Sequence, residues 1–491
     1  MRSLYFTLTI LIIILMNACS VPESQSNYVV VVFDVEDYIS PESEGVDDIP
    51  LWLAETMTEV GVTATFFVIG EKARSLEARG RQDVIDAMAS HDIGSHTNFG
   101  SIHPTVTEIL EWADWDEGVV AMLENESAGF DELERIFGVP VTSFARHGGS
   151  YGPQLIYALG QMGKGYVYSP FRFPGRHATW YCNTLNFHGD YGNFDDSYFK
   201  DELFNPLLDS LKENFARDVE GTDVVSFFAC HPTKVRAEQF WDFNFYEGAN
   251  PPADSLKAPA LRPAESMETA RKNFRRLMQF LKDQPNIQIT TYSDLMERFS
   301  YQPEHISEND MQRVAEQVLL SKQVAYDEYY SPSEVLAALT ESLNAYAETG
   351  KLPGKLLRSG PLGPMSMPPE NPGISELSLD QVYALTREAG EFIRNKGHLP
   401  ARLSMEEGHI GTGSLFHLFS SVYLDILAGK PQEVYDVIPF DPYPRENEEA
   451  IISEVEGYKY WIVHKPDLDM TKLVATTRMQ LWTLKPAHEI R

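Results

Sequence analysis

The sequence predicts an α/β protein: a barrel or doubly wound sheet over residues 28–300, followed by a mostly helical region over 301–491. Three observations carry this. Short, nearly all-apolar runs at 28–33 (YVVVVF), 63–69 (TATFFVI) and 223–230 (DVVSFFAC) have the length and composition of strands buried on both faces. Helical patterns alternate with such runs as six or seven strand–helix units. Beyond Phe299 the strand signals fade and helical periodicity takes over.

Each element follows in turn. The run 28–33 ends in acidic residues, 50–60 is a helix, and 63–69 is the second strand. A helix at 80–90 precedes a short strand at Ile93 and Gly94, with His96 just beyond. Helices at 106–115 and 116–137 lead to a strand at 141–144 that delivers Arg146. A helix at 153–159 and a strand at 166–168 follow. Residues 171–199, rich in Gly, Asn and aromatics, are expected to be a loop excursion. The fold resumes with a helix at 203–214 and the strand at 223–230 that ends in His231. A helix at 267–282, a strand at 287–290 and a short helix at 292–299 complete it.

Length and composition bound what such a chain does. With 491 residues, 43% hydrophobic and 12% aromatic, it is too large for one small core and too apolar for disorder. Forty basic against 72 acidic residues leave a net charge of −32, which repels a phosphate backbone and excludes nucleic acid as a partner. Cys19, Cys182 and Cys230 are too few for a disulfide framework. Residues 1–18 have the pattern of an export signal. Arg2 precedes an apolar stretch at 4–16, shorter than the roughly 20 residues a membrane span needs. Met-Asn-Ala-Cys resembles a bacterial lipoprotein cleavage site, with Met16 in place of the usual leucine. That resemblance implies lipid on Cys19, a tether over 19–27, and a protein exported to the outer membrane, facing periplasm or exterior.

Chemistry in α/β folds collects where strands end. Here those ends carry Asp34, Glu36 and Asp37, then His96 with His103, Arg146 with His147, and His231. Taken singly, a strand-end Asp caps a helix or sits in a turn. Jointly, carboxylate and imidazole suit one divalent ion, zinc above all, and two histidines with one carboxylate leave a position for water. The pattern points to hydrolysis with acid–base assistance.

This order resembles the polysaccharide deacetylase superfamily, metal-dependent N-deacetylases of chitin oligomers, peptidoglycan and related polymers, over residues 28–300. The resemblance implies a distorted (β/α)7 barrel and removal of N-acetyl groups from a cell-wall or extracellular polysaccharide or oligosaccharide. VVFDVED matches the family's first motif, which makes Asp34 the catalytic base. Glu36 is the acidic metal ligand because it shares the strand face of Asp34, with Asp37 as the alternative. GSHTNFGSIHP matches the family's His-Ser/Thr and His-Pro pair at His96 and His103, but the two are seven positions apart instead of four. On a straight helix that is about 10.5 Å, too far for two bonds of about 2 Å to one ion. The pairing therefore requires 98–102 to bulge outward, which Gly100 permits, with Pro104 opening the next helix. His147 and His91 are the substitute ligands.

The family's arginine motif survives as Arg146-His147-Gly148-Gly149-Ser150-Tyr151-Gly152, with His-Gly-Gly replacing a proline pair. The resemblance makes Arg146 the residue that orients the base and His231, in FACHP, the general acid. Asp190 in NFHGDYG is a candidate to orient His231, and His188 and Asp190 equally are candidates to contact substrate. Tyr151 and Trp241, with other aromatics such as Trp180 and Tyr246, offer flat faces to sugar rings.

After residue 300, helices are expected at 307–326, 332–346, 379–396 and 414–428, with a Pro-rich loop at 354–373 and a small mixed C-terminal part. The two halves run loosely parallel, and AGEFIRNKGHLP at 389–400 resembles small helical repeats that bind pseudomurein-type cell-wall material. An accessory role in substrate binding is the expectation. Two other functions fit the same residues. One is a non-catalytic surface polysaccharide-binding protein on the same fold, its metal lost through the altered histidine spacing. The other is a metal-dependent hydrolase of another amide or an O-acetyl ester.

Overall fold

The computed structural model describes residues 27–189, 191–406 and 408–490. The expected signal, Cys19, most of the tether and Asp190 lie outside the described residues. Among the described residues ten strands build the main sheet, nine of them from the first 290 residues: β1 (Asn27–Val35), β2 (Thr65–Val68), β3 (Asp92–Ser95), β4 (Ser143–Ala145), β5 (Gly165–Ser169), β6 (Ala178–Tyr181), β7 (Thr184–His188), β8 (Val224–Cys230) and β9 (Ile287–Thr290). Their order is β6-β7-β5-β4-β3-β2-β1-β8, with β9 also paired to β1. All these pairings are parallel except β6 with β7. A bridge between Tyr191 and Phe227 draws the chain after β7 to β8, so the curved sheet approaches closure. This is the distorted (β/α) barrel with a helical extension that the sequence predicts.

Strand alternation positions the site. Val29, Val31, Phe33 and Val35 of β1 pack outward on a core that includes Trp52, Met57 and Phe274. Tyr28, Val30 and Val32 point inward to Phe67, Tyr168, Phe187, Phe228 and Tyr292. The period of two carries Asp34, and Glu36 after it, onto the inner face at the strand's C-terminal end.

Three local expectations change. The stretch 171–199 holds the β6–β7 hairpin, closed by Cys182 and Asn183 with φ of 50° and 57°. Two positive φ values in a two-residue turn fit the twist of paired strands, but Cys-Asn lacks the glycine that usually signals such a turn. A helix at Gly70–Ala78 precedes the one at Gln82–Ala89. The helix after His103 is only Val106–Leu110. Thr105 and Glu108 form its capping box, so Pro104 precedes the cap instead of opening the helix.

Beyond residue 300 the helices Glu308–Ser321, Pro332–Thr349, Leu379–Lys396 and Thr412–Leu427 form the extension. Its two halves repeat one plan. In each, a short strand enters a helix through a serine capping box and pairs with a strand that follows later: His305–Ser307 with Lys355–Leu357, and Glu376–Ser378 with Val434–Asp436. The C-terminal part then returns to the barrel. Lys485–Pro486 pairs with β6, and the buried Lys485 ammonium contacts both carboxylate oxygens of Glu334 at 2.8 and 2.9 Å. Residue 300 marks a change of architecture, not the end of the barrel's sheet. No helix among the described residues is long and apolar enough to cross a membrane.

Candidate metal centre

Glu36 is the hub of the site. Its Oε1 lies 3.1 Å from His96 Nε2, 3.1 Å from His147 Nδ1 and 3.8 Å from His231 Nε2. Its Oε2 accepts the Trp241 indole N–H at 2.9 Å. Asp34 stands beside it, with Oδ2 3.8 Å from His96 Nε2 and 3.9 Å from His231 Nε2, and Oδ1 accepting the Tyr168 hydroxyl at 3.2 Å. Apart from Trp241, which opens a turn at Trp241–Gly248, these groups come from the ends of β1, β3, β4, β5 and β8. Glu36, His96 and His147 are each 5% exposed or less, whereas the His231 side chain is 20% exposed.

Burial gives these groups opposed tendencies. It raises the Asp34 carboxyl above its ordinary value, although His96 and His231 pull the other way. Burial acts on Glu36 in the same sense, but the nearby His147 and His231 outweigh it and hold that carboxyl well below the usual range. For His231, burial opposes the charged ring, yet Asp195 and then Glu36 lift its pKa to about 10. Burial lowers His147 despite the pull of Glu36. A carboxyl raised toward neutrality beside a histidine held protonated is the split that acid–base chemistry uses.

The residues fit one divalent ion. His96 Nδ1 faces the Ala145 carbonyl at 3.1 Å, which assigns the ring proton to Nδ1 and leaves a lone pair on Nε2. His147 contacts Ser101 Oγ through Nε2 at 2.9 Å, while its buried Nδ1 faces Glu36 Oε1 at 3.1 Å. His96 Nε2 and His147 Nδ1 both lie 3.1 Å from Glu36 Oε1, and groups at that spacing require a proton or a cation among them. Bonds of about 2 Å in tetrahedral array set donors about 3.3 Å apart, close to the 3.1 Å from Glu36 Oε1 to each histidine. Glu36, His96 and His147 therefore form a cluster able to chelate one divalent metal.

The sequence-based expectations map onto this geometry unevenly. Asp34, Glu36, His96 and His231 come together, and His147, the substitute ligand, joins them. His103 does not. The loop 97–105 does bulge, with Thr97 and Gly100 at positive φ, but it turns His103 away. Its Nδ1 meets Glu108 Oε2 at 2.7 Å and its Nε2 meets the Phe245 carbonyl at 3.1 Å. Both ring nitrogens are thus engaged away from the cluster, and His103 is not among the groups that converge on Glu36. Asp37 is also elsewhere: its oxygens accept from the Ile39 and Ser40 amides and from the Ser40 and Thr233 hydroxyls, which makes it a turn residue. His91 lies apart, bonded to the Ala54 carbonyl.

Arg146 donates to the carbonyls of Tyr168 and Gly148 and stacks over Tyr458. Tyr151 is buried, its hydroxyl 2.9 Å from Thr477 Oγ1, and offers no face to a sugar. Trp241 is buried as well and serves as a hydrogen-bond donor to Glu36, not as a stacking platform. His188 contacts the Ser169 carbonyl at 2.6 Å and the Arg172 guanidinium; burial and Arg172 lower its pKa to about 3.

Three contributors carry no signal of their own in the sequence. Asp195 holds His231, and the acidic pair in NFDDSY says nothing of that partner. Tyr168 reaches Asp34 because β5 shifts register against β7 and Tyr168 adopts φ 61°, a backbone region that bulky residues rarely enter. Asp242 lies buried next to Trp241 with Oδ1 unpartnered, raised to about 7 by burial and by Glu36.

Neither a protein-family model nor a curated protein matches the sequence. Solved structures match by fold. A polysaccharide deacetylase from Mycobacterium smegmatis aligns over 57% of this chain and 91% of its own, at 12% identity and a TM-score of 0.34. An allantoinase aligns over 56% and 90%, at 12% identity and a TM-score of 0.36. A CE4 family pseudoenzyme from Bacillus anthracis aligns over 56% and 66%, at 11% identity and a TM-score of 0.31. At these identities and scores nothing about this chain's chemistry follows from the likeness.

Proposed function

We propose that this chain is a zinc-dependent hydrolase that removes N-acetyl groups from a cell-wall or extracellular polysaccharide or oligosaccharide, exported and anchored through Cys19. The observation that carries the proposal is the Glu36–His96–His147 cluster flanked by a carboxylate and a histidine with opposite electrostatic leanings. A zinc ion bound there supplies Lewis acidity at a carbonyl oxygen. Trp241 fixes the second oxygen of Glu36. Asp34, oriented by Tyr168, takes the proton of an attacking water. His231, kept protonated by Asp195, gives its proton to the departing amine. Acetate and a free amine leave.

Bound-metal analysis paired with acetate release from N- and O-acetylated glycans tests this. Wild type should bind one zinc per chain and release acetate from N-acetylated glycans. Asp34→Asn should keep the metal and lose turnover. Release from O-acetyl esters alone would move the assignment to an esterase, and metal with sugar binding but no release would move it to a binding protein.

A further inference from the structure

We infer that the C-terminal segment around Trp461 walls off the His147 side of the metal centre, so that the site takes an acylated chain end or a small acylated molecule instead of units in a polymer's interior. This rests on the proposed hydrolase reading. The Trp461 ring stands edge-on to His147, with centroids 5.1 Å apart and planes at 88°. Beneath it run Gly148, at φ 51°, and Gly149. A Cβ on Gly148 would lie 2.1 Å from Trp461 Cε2, and one on Gly149 would lie 2.5 Å from the Tyr458 carbonyl oxygen. The His-Gly-Gly stretch thus has a physical reason: any side chain at 148 or 149 would expel the segment.

The segment is fastened on several sides. The Glu247 and Gly248 amides donate to the carbonyls of Ile462 and Val463 at 2.8 and 3.0 Å. The Lys465 amide donates to Glu108 at 3.1 Å and the Asp469 amide to Glu111 at 2.8 Å. Val463 is buried among Ile69, Trp241 and Phe245. Glu108, held in turn by His103, therefore helps anchor this wall.

A unit inside a polymer needs a free path on both sides of the amide that reacts. Here the path beyond His147 is filled by Tyr458, Trp461 and His464, while His231 keeps some exposure. Sugar units can extend from the reacting amide on the His231 side alone.

Two readouts test this in the full-length zinc-loaded protein. The first is the rate at which zinc passes to excess chelator. Trp461→Ala should raise that rate about tenfold, because chelator then reaches the ion from the His147 side as well as from the His231 side. Gly149→Ala should do the same without removing the indole, and serves if the first variant does not fold. The second is the ratio of acetate release from a soluble N-acetylated polymer to release from its dimer and trimer. Wild type should favour the short substrates, and either variant should raise the ratio about tenfold. Equal per-unit rates on polymer and trimer in wild type, or zinc release unchanged in both variants, would overturn the inference. Zinc binding with no acetate released from any substrate would instead sink the hydrolase reading, and zinc release would still decide whether the segment covers the metal.

Discussion

Asp195 holds His231 at two points: its Oδ1 accepts the His231 backbone N–H at 2.7 Å, and its Oδ2 lies 2.9 Å from the ring Nδ1. The double contact sets both the position and the tilt of the imidazole. Nε2 is thereby aimed between Asp34 and Glu36, at 3.9 and 3.8 Å.

The first prediction follows from that contact. The folded pKa of His231, about 10, is raised above the ordinary value of 6.5. Its charged form therefore contributes stability that is complete below about pH 6.5 and is lost as pH rises toward 10. In metal-free protein, the gap in thermal stability between wild type and Asp195→Asn should be widest at low pH and close as pH nears 10. Histidine NMR titration should show a lowered His231 pKa in the variant, and steady-state assays should show turnover down about 10²-fold.

Metal content distinguishes two histidines. Glu36→Gln, His96→Ala and His147→Ala should each abolish stoichiometric zinc binding, because three protein donors are the minimum for a catalytic site of this kind. His103→Ala should keep its zinc. It should still lose about 1–3 kcal/mol in chemical denaturation, since Glu108 and the Phe245 carbonyl lose a buried partner.

Tyr168→Phe should leave zinc binding intact and lower turnover. The phenol stabilises ionised Asp34, whose carboxyl burial already raises. Without it the carboxyl titrates higher still, so the acid limb of the pH–rate profile should move to higher pH.

Trp241→Phe removes the donor to Glu36 Oε2 while keeping an aromatic ring in its buried place. Competition with a chelator of known affinity should show zinc binding weakened about 10- to 100-fold, the usual effect of losing a group that orients a ligand. Turnover at saturating zinc should fall less than the affinity does.

Legibility in the sequence differs from residue to residue for physical reasons. Asp34 and Glu36 could be placed because alternation along one strand is set by the backbone itself, and β1 is apolar enough to show it is buried on both faces. His96 and His231 were legible because each follows a short buried strand directly. The β6–β7 hairpin was not, because its turn lacks glycine. Tyr168 was not, because nothing local announces a register shift between β5 and β7.

From the chain of residues alone came the class of fold, the carboxylate–imidazole character of the strand ends, and Asp34, Glu36, His96 and His231 among the candidates there. Those follow from short-range rules: strand period, apolar run length and the polar groups that end each run. The folded molecule decided that His147 faces Glu36 while His103 turns to Glu108, that Asp195 holds His231, and that Trp461 closes over the glycines at 148 and 149. Each of those pairings depends on the path a loop takes once distant segments compete for the same space, and spacing along the chain does not carry that information.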